Sequence, residues 1–434
     1  MKRALKIGLA AAGAVVVASA GIVGAAREDH AAPASVTDDA AAKAGQQTPG
    51  ASGEFVPAYY RKWPNSLPST TDFFPIAVWM QDPARQRNGL PNAVNYQRAG
   101  INTFVGLWDF PSREDSASRL ALLRQHRLYV LAGDEGAASA VKGAKMAGAD
   151  GLTGYLLGDE QDMSTNPKHI TPEEVSAAAQ KIRALDPGRP VYNNWGKAFS
   201  LRPWVGAHDD DAGLRRYCSE VDISSSDYYA STDGYEPPVM HTPAFYGQAV
   251  TNVRGLCGAA KPTWGFVETG HPFADNPGSW APYSKDGTIE PAAVEQAVWS
   301  MLAHGANGIV YFVHDFVPGG LTEDGLFDHP ETVKTVTRVN AEVRTLAPIL
   351  NAQRQPTGLT ALGADATLRA DPKGFYVVAA ENKGNTGDVT FTAPAAAGAT
   401  VAVVGENRQI KADAAGKFTD RFDGWGHHVY RIPR

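Results

Sequence analysis

The sequence predicts a (β/α)₈ barrel followed by a small antiparallel β-sandwich, an α/β architecture in two domains. Two observations favour the barrel: short apolar runs alternate with amphipathic helical stretches, and these runs lack the strict alternation of half-exposed strands. A third favours the sandwich, since after Asn351 the chain changes to short alternating runs divided by Gly, Asn and Pro turns. An open doubly wound sheet is the alternative to the barrel, but no Gly-rich phosphate loop follows the first strand.

The first 54 residues are expected to lie outside the folded domains. A basic start, MKRALK, precedes an apolar run that ends at residue 26, which is typical of a secretory signal peptide over residues 1–26. The run is also near the length of a membrane span, so an uncleaved N-terminal anchor is the alternative. Residues 27–54 are rich in Ala, Gly, Pro and polar side chains and are predicted to be a flexible linker. The protein is therefore expected to be secreted or displayed at the cell surface.

Net charge and cysteine content indicate which partners and which covalent cross-links to expect. The net charge is −6 and no long run of Lys or Arg occurs, which argues against a nucleic-acid partner. The two cysteines, Cys218 and Cys257, are an even number in a chain expected to be exported, which favours one disulfide bond. Two buried free thiols are the alternative, because sequence gives no distance between them.

The predicted barrel domain covers residues 55–352 and contains eight strand-like runs, each followed by a helical stretch. The first four runs are FFPIAVWM (73–80), INTFVGLWDF (101–110), LYVLAGDE (128–135) and GLTGYLLGDE (151–160). The last four are PVYNNWG (190–196), VDISSSDYY (221–229), PTWGFVETG (262–270) and NGIVYFVHDF (307–316). Residues 353–434 are predicted to form the β-sandwich.

The candidate site follows from the barrel, because functional residues of such barrels lie at the C-terminal ends of the strands. Those ends are rich in carboxylates, amides and aromatic rings, whereas the Lys, Arg or glycine-rich loops that bind phosphate are nearly absent. Aromatic faces pack on sugar rings, and acids and amides hydrogen-bond sugar hydroxyls, so the mixture predicts a carbohydrate substrate. The candidate substrate-binding residues are Trp79, Trp108, Glu135, Asp159, Asn193, Asn194, Asp227, Tyr228, Tyr229 and His314.

Two glutamates are the candidate catalytic pair. Cleavage of a glycosidic bond needs one carboxylic acid that protonates the leaving oxygen and a second that attacks the anomeric carbon or activates water. Glu160 ends the fourth run and Glu268 ends the seventh, and these strands face each other across the mouth of a barrel. A cap formed by Asp159 and Glu160, an ion-pair role for Glu268, and a catalytic Glu135 are the alternatives.

This layout resembles the clan A glycoside hydrolases, which are retaining (β/α)₈ enzymes with a glutamate at the ends of strands four and seven. The resemblance spans Phe73 to Arg434 and implies that Glu160 is the acid/base and Glu268 the nucleophile. It also implies that Tyr228 or Tyr229 hydrogen-bonds the nucleophile. The chain departs from the clan at Asp159, where Asn is usual, and the charge of Asp159 would raise the pKa of Glu160.

The expected function is therefore hydrolysis of glycosidic bonds in an oligo- or polysaccharide by a retaining mechanism that needs no cofactor. A non-catalytic carbohydrate-binding protein on the same scaffold is the alternative. A metal-dependent barrel enzyme is a third possibility. Neither His314 with Asp315 nor the HDDD segment at 208–211 has the ligand spacing of a known metal site, so no metal is expected.

Overall fold

The computed structural model describes residues 53–107, 113–133, 151–163, 169–204, 206–233, 236–272, 284–285, 288–317 and 320–434. The chain from Gly53 to Arg434 forms one compact unit. The predicted signal peptide and nearly all of the predicted linker lie outside the described residues, as do Trp108 and Glu135. Within the described ranges, no helix combines the length and apolar character needed to cross a membrane.

In the described part of the chain, parallel strands close into an eight-stranded barrel, which confirms the predicted fold. Each strand pairs with the next one along the chain, and the eighth closes the ring against the first. The strands are β1 Ile76–Trp79, β2 Thr103–Val105, β3 Tyr129–Ala132, β4 Leu152–Asp159, β5 Val191–Trp195, β6 Ile223–Ser226, β7 Thr263–Glu268 and β8 Ile309–Phe312.

Helices surround this barrel, as the alternating pattern predicts. They are α1 Asn92–Arg98, α2 Arg113–Gln125, α3 Pro172–Leu185, α4 Lys197–Ser200, α5 Asp211–Tyr217, α6 Ala244–Cys257, α7 Pro291–Ala303 and α8 Pro330–Leu350. The helix α3 starts with a capping box, in which the Thr171 side chain accepts from the Glu174 N–H and the Glu174 carboxylate accepts from the Thr171 N–H. The described parts of the connections contain three short two-stranded ribbons: Gln86–Arg87 with Leu90–Pro91, Ser284–Lys285 with Thr288–Ile289, and Asp315–Val317 with Gly320–Thr322.

The barrel has two apolar layers because successive strand residues point to opposite faces. One layer fills the interior of the barrel with residues such as Ala77, Tyr192, Trp264 and Phe266. The other packs the outer faces of the strands against the helices. The described residues of the interior layer thus form a packed core rather than a pore.

Antiparallel strands follow the last helix and form two sheets, as predicted for the β-sandwich. The strands are β9 Gln353–Gln355, β10 Thr360–Leu362, β11 Ala364–Asp371, β12 Gly374–Glu381, β13 Gly387–Thr392, β14 Thr400–Val403, β15 Arg408–Lys411, β16 Lys417–Phe422 and β17 His427–Ile432. One sheet has the order β9-β11-β12-β17-β14-β15 and the other β10-β13-β16. Apolar side chains from both sheets, including Val377, Phe391 and Tyr430, form one shared core.

A disulfide bond joins Cys218 to Cys257, with 5.1 Å between their Cα atoms, and this confirms the predicted pairing. Cys218 caps α5 and Cys257 is the last residue of α6. The bond therefore links the C-terminal ends of two neighbouring helices on the outside of the barrel.

Candidate active site

The backbone turns sharply where β4 ends, and this turn presents Glu160. Glu160 has φ +46°, in the left-handed region that residues other than Gly seldom adopt. Its N–H donates to the carbonyl of Asn194 at 3.1 Å. The pairing of β4 with β5 also changes register between Leu156 and Asp159, as in a β-bulge. Bulges and left-handed residues re-aim side chains and are frequent beside functional sites.

The Asn194 side chain links the ends of β4, β5 and β6 by hydrogen bonds. It lies on the interior face of β5, where its amide donates to the Asp159 carboxylate at 2.9 Å and its carbonyl oxygen accepts from the Ser225 hydroxyl at 2.5 Å. The hydroxyls of Ser225 and Tyr192 are also hydrogen-bonded to each other. A polar network thus fixes Asp159 against β5 and β6.

Asp227 extends the same interior face beyond the end of β6. Its N–H donates to the carbonyl of Trp195 at 3.1 Å, and its carboxylate accepts from the Tyr229 hydroxyl at 3.0 Å. Only 8% of its surface is exposed, and among the described residues its Oδ1 has no hydrogen-bond partner. Asp227 is therefore a buried carboxyl group at the end of β6 with one oxygen held by Tyr229.

The carboxyl groups around Glu160 bind protons unusually strongly. Burial and the charges of Asp227, Asp159 and Asp162 raise the pKa of Glu160 well above its usual range. Burial raises the pKa of Asp162 to about 7 and that of Asp227 to about 6. Asp159 keeps an exposed surface, yet the protein atoms packed around its carboxyl group, with the charge of Asp227, raise its pKa to about 7. The raised pKa favours the protonated form of Glu160, which is the form that a proton donor needs.

Glu268 lies at the end of β7 in a different environment. It is fully buried, and its carboxylate accepts from the Tyr246 hydroxyl at 2.7 and 2.8 Å and from the Thr232 hydroxyl at 3.0 Å. Burial raises its pKa to about 7, although the Tyr246, Thr232 and Ser231 donors oppose that rise. Hydrogen bonds to an ionised carboxylate stabilise it, so these donors orient Glu268 and partly offset the effect of burial.

The tyrosine that hydrogen-bonds Glu268 corrects the expectation for Tyr228 and Tyr229. Tyr246, on the first turn of α6, makes that contact. Tyr229 lies on the interior face and donates to Asp227, whereas Tyr228 packs on the outer layer and donates to the carbonyl of Met240. Sequence reasoning missed Tyr246 because it comes from a helix, 22 positions before its partner, and carries no local signal.

Two other candidate substrate-binding residues, Trp79 and Asn193, pack within the barrel wall or its interior. Trp79 is buried in the barrel interior, with its ring edge-on to Phe266 at 5.3 Å. Asn193 lies on the outer face of β5, because Tyr192 and Asn194 occupy the interior face, and its amide donates to the Asn194 carbonyl at 2.9 Å. The structure therefore brings neither side chain among the carboxyl groups around Glu160.

His314 is a buried, neutral histidine beside the barrel interior. Its Nε2 lies 3.1 Å from the Met80 carbonyl and 3.3 Å from the Trp79 carbonyl, so Nε2 carries the proton. Its ring stacks on Phe312 at 5.0 Å. Burial lowers its pKa to about 4, which makes it a fixed hydrogen-bond donor at neutral pH.

One trio of metal-ligand side chains occurs in the described ranges, away from the mouth of the barrel. Glu295 on α7, Glu342 on α8 and His427 on β17 have ligand atoms within 4.8 Å of one another. Glu295 already accepts from both terminal nitrogens of Arg338, at 2.7 and 2.5 Å. The trio is therefore an ion-paired contact between the outer helices and the C-terminal sheet.

Comparison with solved structures finds the fold of this chain in other proteins. No family model matches the sequence, and no curated protein does so. Among solved structures, the α-amylase of Geobacillus thermoleovorans in complex with acarbose is similar over 84% of this chain and 99% of its own, with 12% identity and a TM-score of 0.54. An Anoxybacillus α-amylase matches over 84% and 99%, with 10% identity and a TM-score of 0.52. A maltogenic α-amylase of Thermotoga neapolitana matches over the same shares, with 9% identity and a TM-score of 0.50. The chain thus shares with these structures a fold in which a (β/α)₈ barrel precedes a C-terminal β-domain.

Proposed function

We propose that this protein is an exported glycoside hydrolase that cleaves an oligo- or polysaccharide with retention of configuration. The observation that carries this proposal is Glu160, a carboxyl group with a raised pKa, presented by a strained turn at the mouth of the barrel. The similarity in fold to α-amylases, one of them in complex with acarbose, supports a carbohydrate substrate.

In the proposed first step, the Glu160 carboxyl gives its proton to the glycosidic oxygen as the bond from that oxygen to the anomeric carbon breaks. A Glu268 oxygen forms the new bond to the same carbon, giving a covalent glycosyl-enzyme. Tyr246 and Thr232 keep the attacking carboxylate oriented before the step. In the second step, the Glu160 carboxylate takes a proton from water, which attacks the anomeric carbon and releases Glu268.

The two glutamates can be tested with chromogenic glycosides and a panel of polysaccharides. Glu160→Gln and Glu268→Gln should each lower kcat/KM at least about a hundredfold, because each removes a proton donor or a nucleophile. Glu295→Gln is the matched control, since Glu295 lies on an outer helix and pairs with Arg338. Its activity should equal that of the wild type.

Retention of the anomeric configuration is tested by a separate experiment. A 2-fluoro glycoside should leave a sugar attached to the peptide that contains Glu268, and mass spectrometry of a digest locates it. Proton NMR of the first product should show the anomeric configuration of the substrate. Labelling of another carboxylate, or inversion at the anomeric carbon, would contradict the assignment of Glu268.

A second candidate function is carbohydrate binding without hydrolysis. The complete burial of Glu268, with Tyr246 and Thr232 as donors, favours this alternative because a structural carboxylate has the same partners. The alternative predicts saturable binding of an oligosaccharide by calorimetry and no turnover of any glycoside. It also predicts that Glu268→Gln changes stability and leaves binding intact.

A further inference from the structure

Three arginines meet where the barrel contacts the C-terminal sheet. Arg354 on β9 and Arg369 on β11 are directly opposite each other in an antiparallel pair, so their side chains project from the same face of the sheet. Arg254, in the last turn of α6, approaches from the barrel, and its Nη1 donates to the His304 carbonyl at 2.6 Å. That Nη1 and the Nε of Arg354 lie 3.2 and 3.6 Å from the position that a Cβ atom would occupy at Gly305. One helix and two strands thus bring three guanidinium groups together.

The most buried arginine of this cluster keeps unused hydrogen-bond donors. Arg369 is 2% exposed, and its Nη1 donates to the carbonyl of Leu350 at the end of α8. Among the described residues, its Nε and Nη2 have no hydrogen-bond partner, and neither has the Nε of Arg354. Nε and Nη2 form one edge of a guanidinium, where parallel N–H groups match two oxygens of a single oxyanion. Because buried donors without partners cost free energy, an oxyanion that accepts from them would stabilise the fold.

The cluster also carries an excess of positive charge. Glu54 is the acid in contact with it, since its Oε1 accepts from Arg354 Nη1 at 2.7 Å. Asp365, earlier on β11, is paired with His304 at 2.9 Å. Burial and the charges of the neighbouring arginines lower the pKa of Arg369 to about 9, which leaves it cationic at neutral pH. Within the described part of the chain, three cations therefore share one carboxylate.

We propose that this arginine cluster, Arg254, Arg354 and Arg369, is a binding site for a small inorganic oxyanion such as phosphate or sulfate. The Nε and Nη2 groups of Arg369 donate to two oxygens of the anion, and the Nε of Arg354 donates to it from the opposite strand. Arg254 and Arg354 are partly exposed, so the anion enters past them. Once bound, it links α6 to the C-terminal sheet.

This site does not depend on the proposed hydrolase function. Gly305, beside two of the arginines, lies in the connection that precedes β8. The N-terminal ends of the strands are at the end of the barrel opposite the mouth, where the candidate catalytic residues lie. The expected role of the anion is therefore to stabilise the contact between the barrel and the C-terminal domain.

The test is calorimetric titration of the full chain with sodium phosphate and with sodium sulfate at constant ionic strength. The wild type should bind the oxyanion at one saturable site, and its melting temperature should rise with occupancy. Arg354→Gln removes one donor and one charge, so the dissociation constant should increase about tenfold or more. Arg354→Lys keeps the charge without the Nε donor and should also weaken binding.

Arg338→Gln is the matched control. It also removes an ion-paired arginine, but from α8, where Arg338 pairs with Glu295. This variant should bind phosphate as the wild type does. If Arg354→Gln does not fold, Arg254→Gln, which removes the arginine of α6, repeats the measurement.

Three results would overturn the proposal. The first is the absence of saturable binding of phosphate or sulfate to the wild type. The second is an equal loss of binding in Arg338→Gln and in the variant of the cluster. The third is an equal rise in melting temperature with sodium chloride at the same ionic strength, because that would show screening of the three charges in place of a bound oxyanion. None of these measurements depends on whether the protein hydrolyses glycosides.

Discussion

At the scale of single residues, the Tyr246 hydroxyl is the strongest constraint on Glu268. It lies within 2.8 Å of both carboxylate oxygens. This contact lowers the pKa of Glu268, and burial raises it, with a net value of about 7. Tyr246→Phe removes the donor, so the pKa of Glu268 should rise further. Since attack requires ionised Glu268, the acid limb of the kcat/KM profile should move to higher pH, and kcat should fall about tenfold or more.

Tyr155→Phe is the control for this substitution. Tyr155 is also buried and donates to a carboxylate, that of Asp186, but on the outer side of β4. It should leave both limbs of the profile unchanged. Equal profiles for Tyr246→Phe and the wild type would mean that Glu268 takes no part in the reaction.

The positions of three acids were predictable from the sequence, because each follows or ends a strand-like run. The structure places Glu268 in the last position of β7, and Glu160 and Asp227 directly after β4 and β6, while their roles stay predictions. Prediction failed to separate Asn193 from Asn194, because the pleat assigns neighbours to opposite faces and only the register shows which faces inward.

At the scale of elements, the disulfide bond constrains α5 and α6. It closes a loop with a sequence separation of 39, and the chain-entropy model gives about 4 kcal/mol for a loop of that size. Replacement of both cysteines, Cys218→Ser with Cys257→Ser, should therefore lower the free energy of unfolding by about 3 to 4 kcal/mol, as measured by urea denaturation. A loss below about 1 kcal/mol would mean that packing between the two helices suffices.

The order of strands and helices could be predicted from the sequence, but the backbone geometry at the end of β4 could not. Apolar runs between helical stretches predict buried parallel strands, and the barrel follows from eight of them. The turn at Glu160, with φ +46°, and the bulge before it arise from pairing between β4 and β5. Pairing of that kind joins residues more than thirty positions apart, so no local pattern contains it.

At the scale of the whole molecule, ionisation of the buried acids at the mouth of the barrel makes the free energy of unfolding depend on pH. Burial raises the pKa of Asp162 to about 7, of Asp227 to about 6 and of Glu268 to about 7, each from an ordinary value near 4. At pH values between the ordinary and the raised pKa of these acids, the folded state binds more protons than the unfolded chain. His314 acts in the opposite direction, because burial lowers its pKa to about 4, but it is one group against several.

The free energy of unfolding should therefore decrease as pH rises from about 4.5 to about 7, and the melting temperature should decrease with it. Asp162→Asn offers the sharpest check, because Asp162 is buried and its Oδ1 accepts from the Gly196 N–H at 2.8 Å, a contact that an asparagine carbonyl can keep. This variant cannot ionise, so its melting temperature should change less across the window than that of the wild type. Calorimetric melts in a series of buffers at constant ionic strength measure both. A wild-type melting temperature that rises steadily through this range would show that these acids are already ionised in the folded protein, and Glu160 would then lose the electrostatic basis for its role as proton donor.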